Sequence, residues 1–193
     1  MKTKITKLLL MAVVTVFSVN VNAQTQKRNV MVGGGLSALD VGLTSKANIK
    51  FNLTPKAGFF VKDGLLIGLT TLFGIEHIGK EGNINIIDYG VGAFGRYYIT
   101  DKNIEIVERG KFFFEANVGV EGRNQLKGGN KTNGLGLGFG PGFAYFLNSN
   151  IALETMLKYQ GIVGFGDTAY RHDLMWSLGF QIYMPYKSRK AKL

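Results

Sequence analysis

Between Asp173 and Met184, the residues Leu174, Trp176, Leu178, Phe180, Ile182 and Met184 alternate with Asp173, Met175, Ser177, Gly179, Gln181 and Tyr183. A period of two is the mark of a β-strand, here with large apolar side chains on one face and polar, small or amphipathic ones on the other. The alternation recurs. Ile49, Phe51, Leu53, Ala57 and Phe59 oppose Asn48, Lys50, Asn52, Thr54 and Lys56, and Lys62-Asp63-Gly64 then makes a tight turn. Leu65, Ile67, Leu69, Thr71, Phe73 and Ile75 oppose Gly68, Thr70, Gly74 and Glu76, followed by a polar loop from Gly79 to Asn83.

The next segment sets Ile87, Tyr89, Val91, Ala93, Tyr97 and Ile99 against Asp88, Gly90, Gly92, Arg96 and Tyr98, and a longer connection runs from Thr100 to Lys111. Phe112, Phe114, Ala116, Val118 and Val120 then oppose Glu115, Asn117, Gly119 and Glu121, with a Gly/Asn/Lys loop from Arg123 to Asn133. Leu135, Leu137, Phe139, Pro141, Phe143, Tyr145 and Leu147 alternate with glycines at 134, 136, 138, 140 and 142. After Asn148-Ser149-Asn150, Ile151, Leu153, Thr155, Leu157 and Tyr159 face away from Glu154, Lys158 and Gln160. Only the first segment, Asn29 to Leu43, has an unclear phase. Val30, Val32 and Leu36 follow one parity and Leu39, Val41 and Leu43 the other, so a bulge at Gly33-Gly34-Gly35 is expected to switch it.

Eight such segments, joined by short turns alternating with longer loops, predict an all-β, eight-stranded antiparallel up-and-down sheet, a size that closes into a barrel. The second face is made of Gly, Ser, Thr, Asn and charges with little bulk, as the lumen of a narrow barrel requires. The apolar faces then point outward, which only lipid tolerates, so the expected fold is a transmembrane β-barrel. Tyr89, Tyr97, Tyr145 and Tyr159 lie toward strand ends on that outward face, at headgroup level. The competing reading is a soluble lipocalin-like barrel that turns its apolar faces inward around a hydrophobic ligand.

The N-terminus changes the picture of where the chain resides. Lys2, Lys4 and Lys7 precede an apolar run from Leu8 to about Val19, and Val21-Asn22-Ala23 ends in a small residue. This is the pattern of a secretory signal peptide cut after Ala23, the run being shorter than the ~20 residues of a membrane helix. The chain divides into signal peptide 1–23, barrel 24–184 and a basic tail 185–193. Losing the leader's three lysines lowers the formal charge from +10 to +7, and Lys187, Arg189, Lys190 and Lys192 of the tail carry four of those, leaving about +3 on the body. Charge concentrated in a tail does not describe a nucleic-acid-binding face. There is no Cys in the 193 residues, so disulfides and thiolate metal sites are excluded.

The signal peptide, the turn sequences Arg96 to Asn103 (RYYITDKN) and Ala144 to Glu154 (AYFLNSNIALE), and the closing strand resemble the small eight-stranded outer-membrane barrel family, in particular the porin-like barrels of Gram-negative Bacteroidetes. The resemblance covers nearly all of Gln24 to Met184. It implies an outer-membrane location, with outer-membrane lipid, lipopolysaccharide and the assembly machinery as partners, and a monomer; no cofactor is expected, and an enzyme, which some barrels of this size are, would need a serine or acid/base set on the wall that the sequence does not offer. The family's terminal strand often ends the chain at an aromatic residue. Here Pro185 to Leu193 follow, which moves that signal inward to Phe180 and Tyr183.

Alternating strand direction sorts the inward charges into two levels. Lys56, Arg96, Glu115 and Glu154 lie near the turn-side strand ends, and Lys50, Glu76, Asp88, Glu121 and Asp173 nearer the loop side. Charges in a narrow lumen need partners, which favours a structural plug of ion pairs over a selective conduit for small solutes. Arg123, Lys127 and Lys131 decorate one loop and could contact lipopolysaccharide phosphates, the alternative being a solvated loop. His77 and His172, beside Glu76 and Asp173, would bind a metal only if the third and eighth strands met, and simple sequential order keeps those apart. Gly136, Gly138 and Gly140 fit a G-x-G pattern but lack the strand-to-helix turn that a phosphate loop needs, so they make room for neighbouring inward side chains. Ser177 is the one serine well inside a late strand, without a His-x-Ser partner, and Asp167-Thr168-Ala169 matches a short O-glycosylation motif.

Overall fold

A computed structural model describes residues 25–42, 48–78, 84–99, 109–125, 131–164 and 170–185. The signal-peptide segment, residues 186–193 of the tail and the Asp167-Thr168-Ala169 motif lie outside them. The strands are β1 (Val30–Gly42), β2 (Asn48–Lys62), β3 (Leu65–Ile78), β4 (Ile84–Tyr98), β5 (Gly110–Gln125), β6 (Lys131–Phe146), β7 (Ile151–Gly164) and β8 (Tyr170–Met184). Each pairs antiparallel with the next, and β8 returns to β1 with Met184 opposite Val30 and Trp176 opposite Leu39, closing the barrel. Closure removes the unpaired edges that an open eight-stranded sheet would expose. Both ends of the described chain emerge at the short-turn end, where Lys62-Asp63-Gly64 turns β2 into β3 with Gly64 at φ 74°.

The two faces separate by composition as the alternation demands. Leu69, Ile75, Val91 and Val120 on the outside are 60 to 65% exposed, while Arg96 and Glu115 inside are 1% and 0% exposed. Burying charge and exposing a continuous apolar belt is the reverse of a water-soluble barrel, so the lipocalin-like reading is overturned. Strand ends run further than the alternation indicated. β5 reaches Gln125 and β6 starts at Lys131, with Arg123 paired to Thr132 and Asn124 to Lys131, so Arg123 and Lys131 lie on strands and not in a loop.

The phase switch of β1 exists, but its position differs from expectation. Pairing with both β2 and β8 runs unbroken through Gly33, Gly34 and Gly35 and shifts between Ser37 and Leu39. After the shift, Leu39 and Val41 stand opposite Trp176 and Leu174, which belong to the outward set of β8. The irregularity thus brings the second parity of β1 into register with the lipid-facing rows. The glycines are needed for another reason. A Cβ at Gly33 would collide with Gln181 and with the Phe180 carbonyl.

The inner face also differs from the low-bulk lumen predicted above. At the turn-side end, Phe60, Tyr98, Phe113, Phe146 and Tyr183 all point inward and are buried. Ring centroids lie 5.9 Å apart for Phe60 and Tyr98, 5.6 Å for Tyr98 and Phe113, and 5.2 Å for Phe146 and Tyr183. These tilted contacts make an aromatic floor across the barrel. The N-terminal segment seals it from below: Thr25 is buried, its carbonyl accepts from Gly64 N–H at 2.8 Å, and its hydroxyl accepts from Lys111 Nζ at 3.0 Å.

Candidate functional site

Directly above the aromatic floor the pairing register brings four inward charges together. Arg96↔Glu115 are cross-strand partners on β4 and β5, Lys56 comes from β2 and Glu154 from β7. The Arg96 guanidinium donates to Glu115 Oε2 from Nε at 2.9 Å and from Nη2 at 2.7 Å, and to Glu154 Oε1 from Nη1 at 2.6 Å. Lys56 Nζ takes the other oxygen of Glu115. The formal charges cancel.

The floor and the charge layer are joined by hydroxyls. Arg96 Nη1 donates to Tyr98 Oη at 2.8 Å, the Tyr98 and Tyr183 hydroxyls lie 2.6 Å apart, and Tyr183 Oη donates to Glu154 Oε1 at 3.0 Å. The guanidinium carbon also sits 4.0 Å from the centroid of the Phe113 ring, a cation–π contact. Arg96 is therefore held by two carboxylates, a phenol and a ring face at once, which is the kind of satisfaction that makes a buried charge tolerable.

Higher in the barrel the arrangement is looser. Glu121 Oε1 accepts from Gln160 Nε2 at 2.6 Å, and Asn52 Nδ2 reaches the Met175 sulfur at 3.8 Å. Among the described residues the carbonyl oxygens of Asn52, Asn117 and Gln160 find no donor. A cavity of about 30 Å³ lies among Thr54, Asn117, Glu121, Lys158 and Gln160, room for an ordered water. Gly90, Gly92 and Gly119 line this cavity, and on β6 the glycines at 136, 138 and 142 stand against inward side chains. A Cβ at Gly138 would fall 2.6 Å from both Asn117 Oδ1 and Lys158 Cε, one at Gly136 would overlap Glu121, and one at Gly142 would overlap the Phe113 ring. Their role is clearance for neighbouring side chains, with every second residue apolar and outward.

Other sequence-derived candidates separate. Asp88 and Asp173 are inward and buried. Asp88 stands opposite Arg123 in the β4–β5 ladder. Lys50 and Glu76 are register partners on β2 and β3. Lys127 lies outside the described residues. β3 pairs with β2 and β4 while β8 pairs with β7 and β1, so His77 and His172 stay apart. The His172 ring bonds and stacks with Tyr159 instead, while Asp173 faces the interior. Among the described residues no group of three or more His, Cys, Asp or Glu is placed to hold a metal. Ser177 Oγ lies against the Met156 carbonyl at 3.5 Å and stands opposite Ser37.

Two participants in this network, Tyr98 and Tyr183, escaped the sequence reading, and so did Lys158 beside it at the cavity. The signal that marks the first two is a doublet. Tyr97-Tyr98 and Ile182-Tyr183 place bulk on both parities at the turn-side strand end, as do Phe59-Phe60, Phe112-Phe113 and Tyr145-Phe146. Where both parities are large, the interior is packed and not open.

Solved structures share this architecture. The crystal structure of Neisserial surface protein A superposes with a TM-score of 0.60 at 17% identity, covering 80% of this chain and 95% of that one. The N-terminal β-barrel domain of Pseudomonas aeruginosa OprF gives 0.55 at 13% identity, covering 82% and 98%. The fold is that of a small transmembrane β-barrel. The outer membrane protein OprG from Pseudomonas aeruginosa matches with a TM-score of 0.53 at 13% identity, covering 86% and 100%. No family model matches the chain, and no curated protein matches it. At these identities the barrel's residues, and not its neighbours, must carry the functional argument.

Proposed function

We propose that this chain is an integral outer-membrane protein, exported through a signal peptide cleaved after Ala23, whose barrel is closed by its own side chains and whose role is structural or surface-interacting. The observation that carries this reading is the two-tier plug: Arg96, Lys56, Glu115 and Glu154 neutralise one another immediately above the Phe60, Tyr98, Phe113, Phe146 and Tyr183 floor. A solute crossing the barrel would have to part buried ion pairs and aromatic rings together, at a cost of several kcal/mol.

The end that carries both described termini and the two tightest turns, between β2 and β3 and between β6 and β7, is assigned to the periplasm, the β4–β5 connection being the long exception on that side. The assembly machinery reads the closing strand β8 through Phe180 and Tyr183, and the barrel works as a monomer. The finer kinship proposed, with porin-like barrels of Bacteroidetes, rests on the resemblance of the turn sequences Arg96 to Asn103 and Ala144 to Glu154 alone. Outward contact with lipopolysaccharide falls to Lys127 and Lys131, because Arg123 stands beside Asp88 in the ladder. The inward serine Ser177 bonds to backbone and Asp173 and His172 face opposite sides, which supports a protein without enzymatic activity.

Single-channel recording tests the plug. Purified, folded protein in planar bilayers is expected to give no sustained current; a stable, sizeable conductance would replace the plug with the narrow-conduit reading.

A further inference from the structure

On the lipid face of β8, β1 and β2 the outward row Phe180↔Gly34↔Pro55 has no side chain at its centre. The next row toward the loop side, Leu178↔Leu36↔Leu53, has full-sized residues. The result is an open apolar groove of about 510 Å³ bounded by Leu36, Leu53, Pro55, Leu178 and Phe180. Gly34 lies four residues from Val30, the start of β1, so the groove centre is about 13 Å from the turn-side rim.

At that rim the same sector is cationic. Lys27 and Arg28 precede β1, Lys62 ends β2, and all three are exposed. Arg28 N–H donates to the Phe60 carbonyl at 2.9 Å, fixing this segment against the end of β2. The neighbouring anion, Asp63, accepts from Lys27 N–H at 2.7 Å. In the sequence, Lys187, Arg189, Lys190 and Lys192 follow β8, whose last residue pairs with Val30. In the sequence Asp101, Glu105 and Glu108 fall between β4 and β5, strands that do not border β1, and the β6–β7 turn, Leu147-Asn148-Ser149-Asn150, carries no charge.

We propose that the β8–β1–β2 wall is a binding site for an anionic phospholipid of the periplasmic leaflet, its acyl chain in the groove over Gly34 and its phosphate among Lys27, Arg28 and Lys62. The inference rests on the membrane-spanning reading and its orientation. An apolar slot that ends in cations within one leaflet's ~15 Å of hydrocarbon matches an amphiphile whose charge sits at the hydrocarbon boundary, and cations near an anionic membrane surface each strengthen attraction about fivefold. A second copy of the chain would present the same cations to themselves.

Trp176, the sole tryptophan, is 49% exposed on β8 one row beyond Leu178 and reports on this wall. The test uses full-length mature protein in phosphatidylcholine vesicles containing brominated phosphatidylglycerol or brominated phosphatidylcholine at equal fractions. Phosphatidylglycerol is expected to quench Trp176 with at least about fivefold higher relative association. Lys27→Gln/Arg28→Gln/Lys62→Gln should bring that ratio close to one, and Gly34→Leu should lower it with all cations intact. Its Cβ would sit 3.1 Å from the Thr54 carbonyl, which a small local shift accommodates. Equal quenching by the two lipids, a preference undiminished in the charge variant, or saturation by lipid A but not by phosphatidylglycerol would overturn the site. Heat-modifiable gel migration of the same samples reports the folded, membrane-inserted barrel, so failure of lipid selectivity is distinguishable from failure of the membrane reading.

Discussion

The turn-side and loop-side halves of the interior are built from the same strands yet solve the burial of polar groups differently. Below, the carboxylates of Glu115 and Glu154 are met by Arg96, Lys56 and Tyr183, and rings fill the remaining section. Above, Asn117 and Gln160 border a small cavity, and glycines at 136 and 138 leave room for side chains from β5 and β7. The lower half sets its charges against one another and against rings, with Gln181 Oε1 left over, whereas the upper half is polar and, among the described residues, holds more buried oxygens without a partner. The difference teaches where the proposed closure would reside: in the layer in which charge pairing and ring packing coincide.

The sharpest way to break this comparison is to remove its centre. Arg96→Leu leaves Glu115 and Glu154 buried with fewer partners and is expected to cost about 3 to 5 kcal/mol, read from urea unfolding in vesicles followed by gel migration. A loss under about 1 kcal/mol would mean that the lower layer is no tighter than the upper. Next comes steric closure. Gly142→Val must displace the Phe113 ring and should destabilise by about 1 to 3 kcal/mol, with a change in tyrosine near-ultraviolet signal as the floor rearranges.

Removing one hydroxyl probes the link between floor and charges. Tyr183→Phe deletes the 3.0 Å bond to Glu154 and the 2.6 Å contact with Tyr98, and a loss of about 1 to 2 kcal/mol is expected in the same unfolding assay. In the upper half, Lys158→Met retains the length of the side chain where no hydroxyl or carboxylate bond is broken, and should change stability by less than about 1 kcal/mol. The smallest effect belongs to the outer wall. A Cβ added at Gly95 meets nothing within 4 Å, so Gly95→Ala should stay within about 0.5 kcal/mol. A larger penalty there than at Gly142 would invert the argument that interior clearance, and not strand propensity, sets the glycine positions.

Much of the fold was legible because a β-strand assigns its faces by parity alone. Phe51, Leu53 and Phe59 had to share a side, as did Asn52, Thr54 and Lys56, whatever the strand paired with. The β1 irregularity was legible as a parity change from Val32 and Leu36 to Leu39 and Val41, but not as a position. Glycine inside a strand often marks a bulge, yet here the glycines relieve crowding by Gln181 and the Phe180 carbonyl, and the shift falls after Ser37.

The interior was legible by level and not by contact. Lys56, Arg96, Glu115 and Glu154 could be placed near the turn-side end from their distance to the turns, since rise per residue is nearly constant. Which oxygen meets which nitrogen depends on the stagger with which the sheet closes. Phe60, Phe113 and Phe146 were hidden because apolar residues on both parities at a strand end carry no alternation, although that very doubling marks a filled cross-section.

Sequence alone thus determined the strands and their two faces, because these depend on near-neighbour spacing. Tertiary closure decided that Arg96 would stand between two carboxylates and over a ring, that Arg123 would be opposite Asp88, and that Gly34 would leave a groove above Lys27 and Arg28. Those meetings join residues far apart in the chain, and only the register of a closed ladder brings them together.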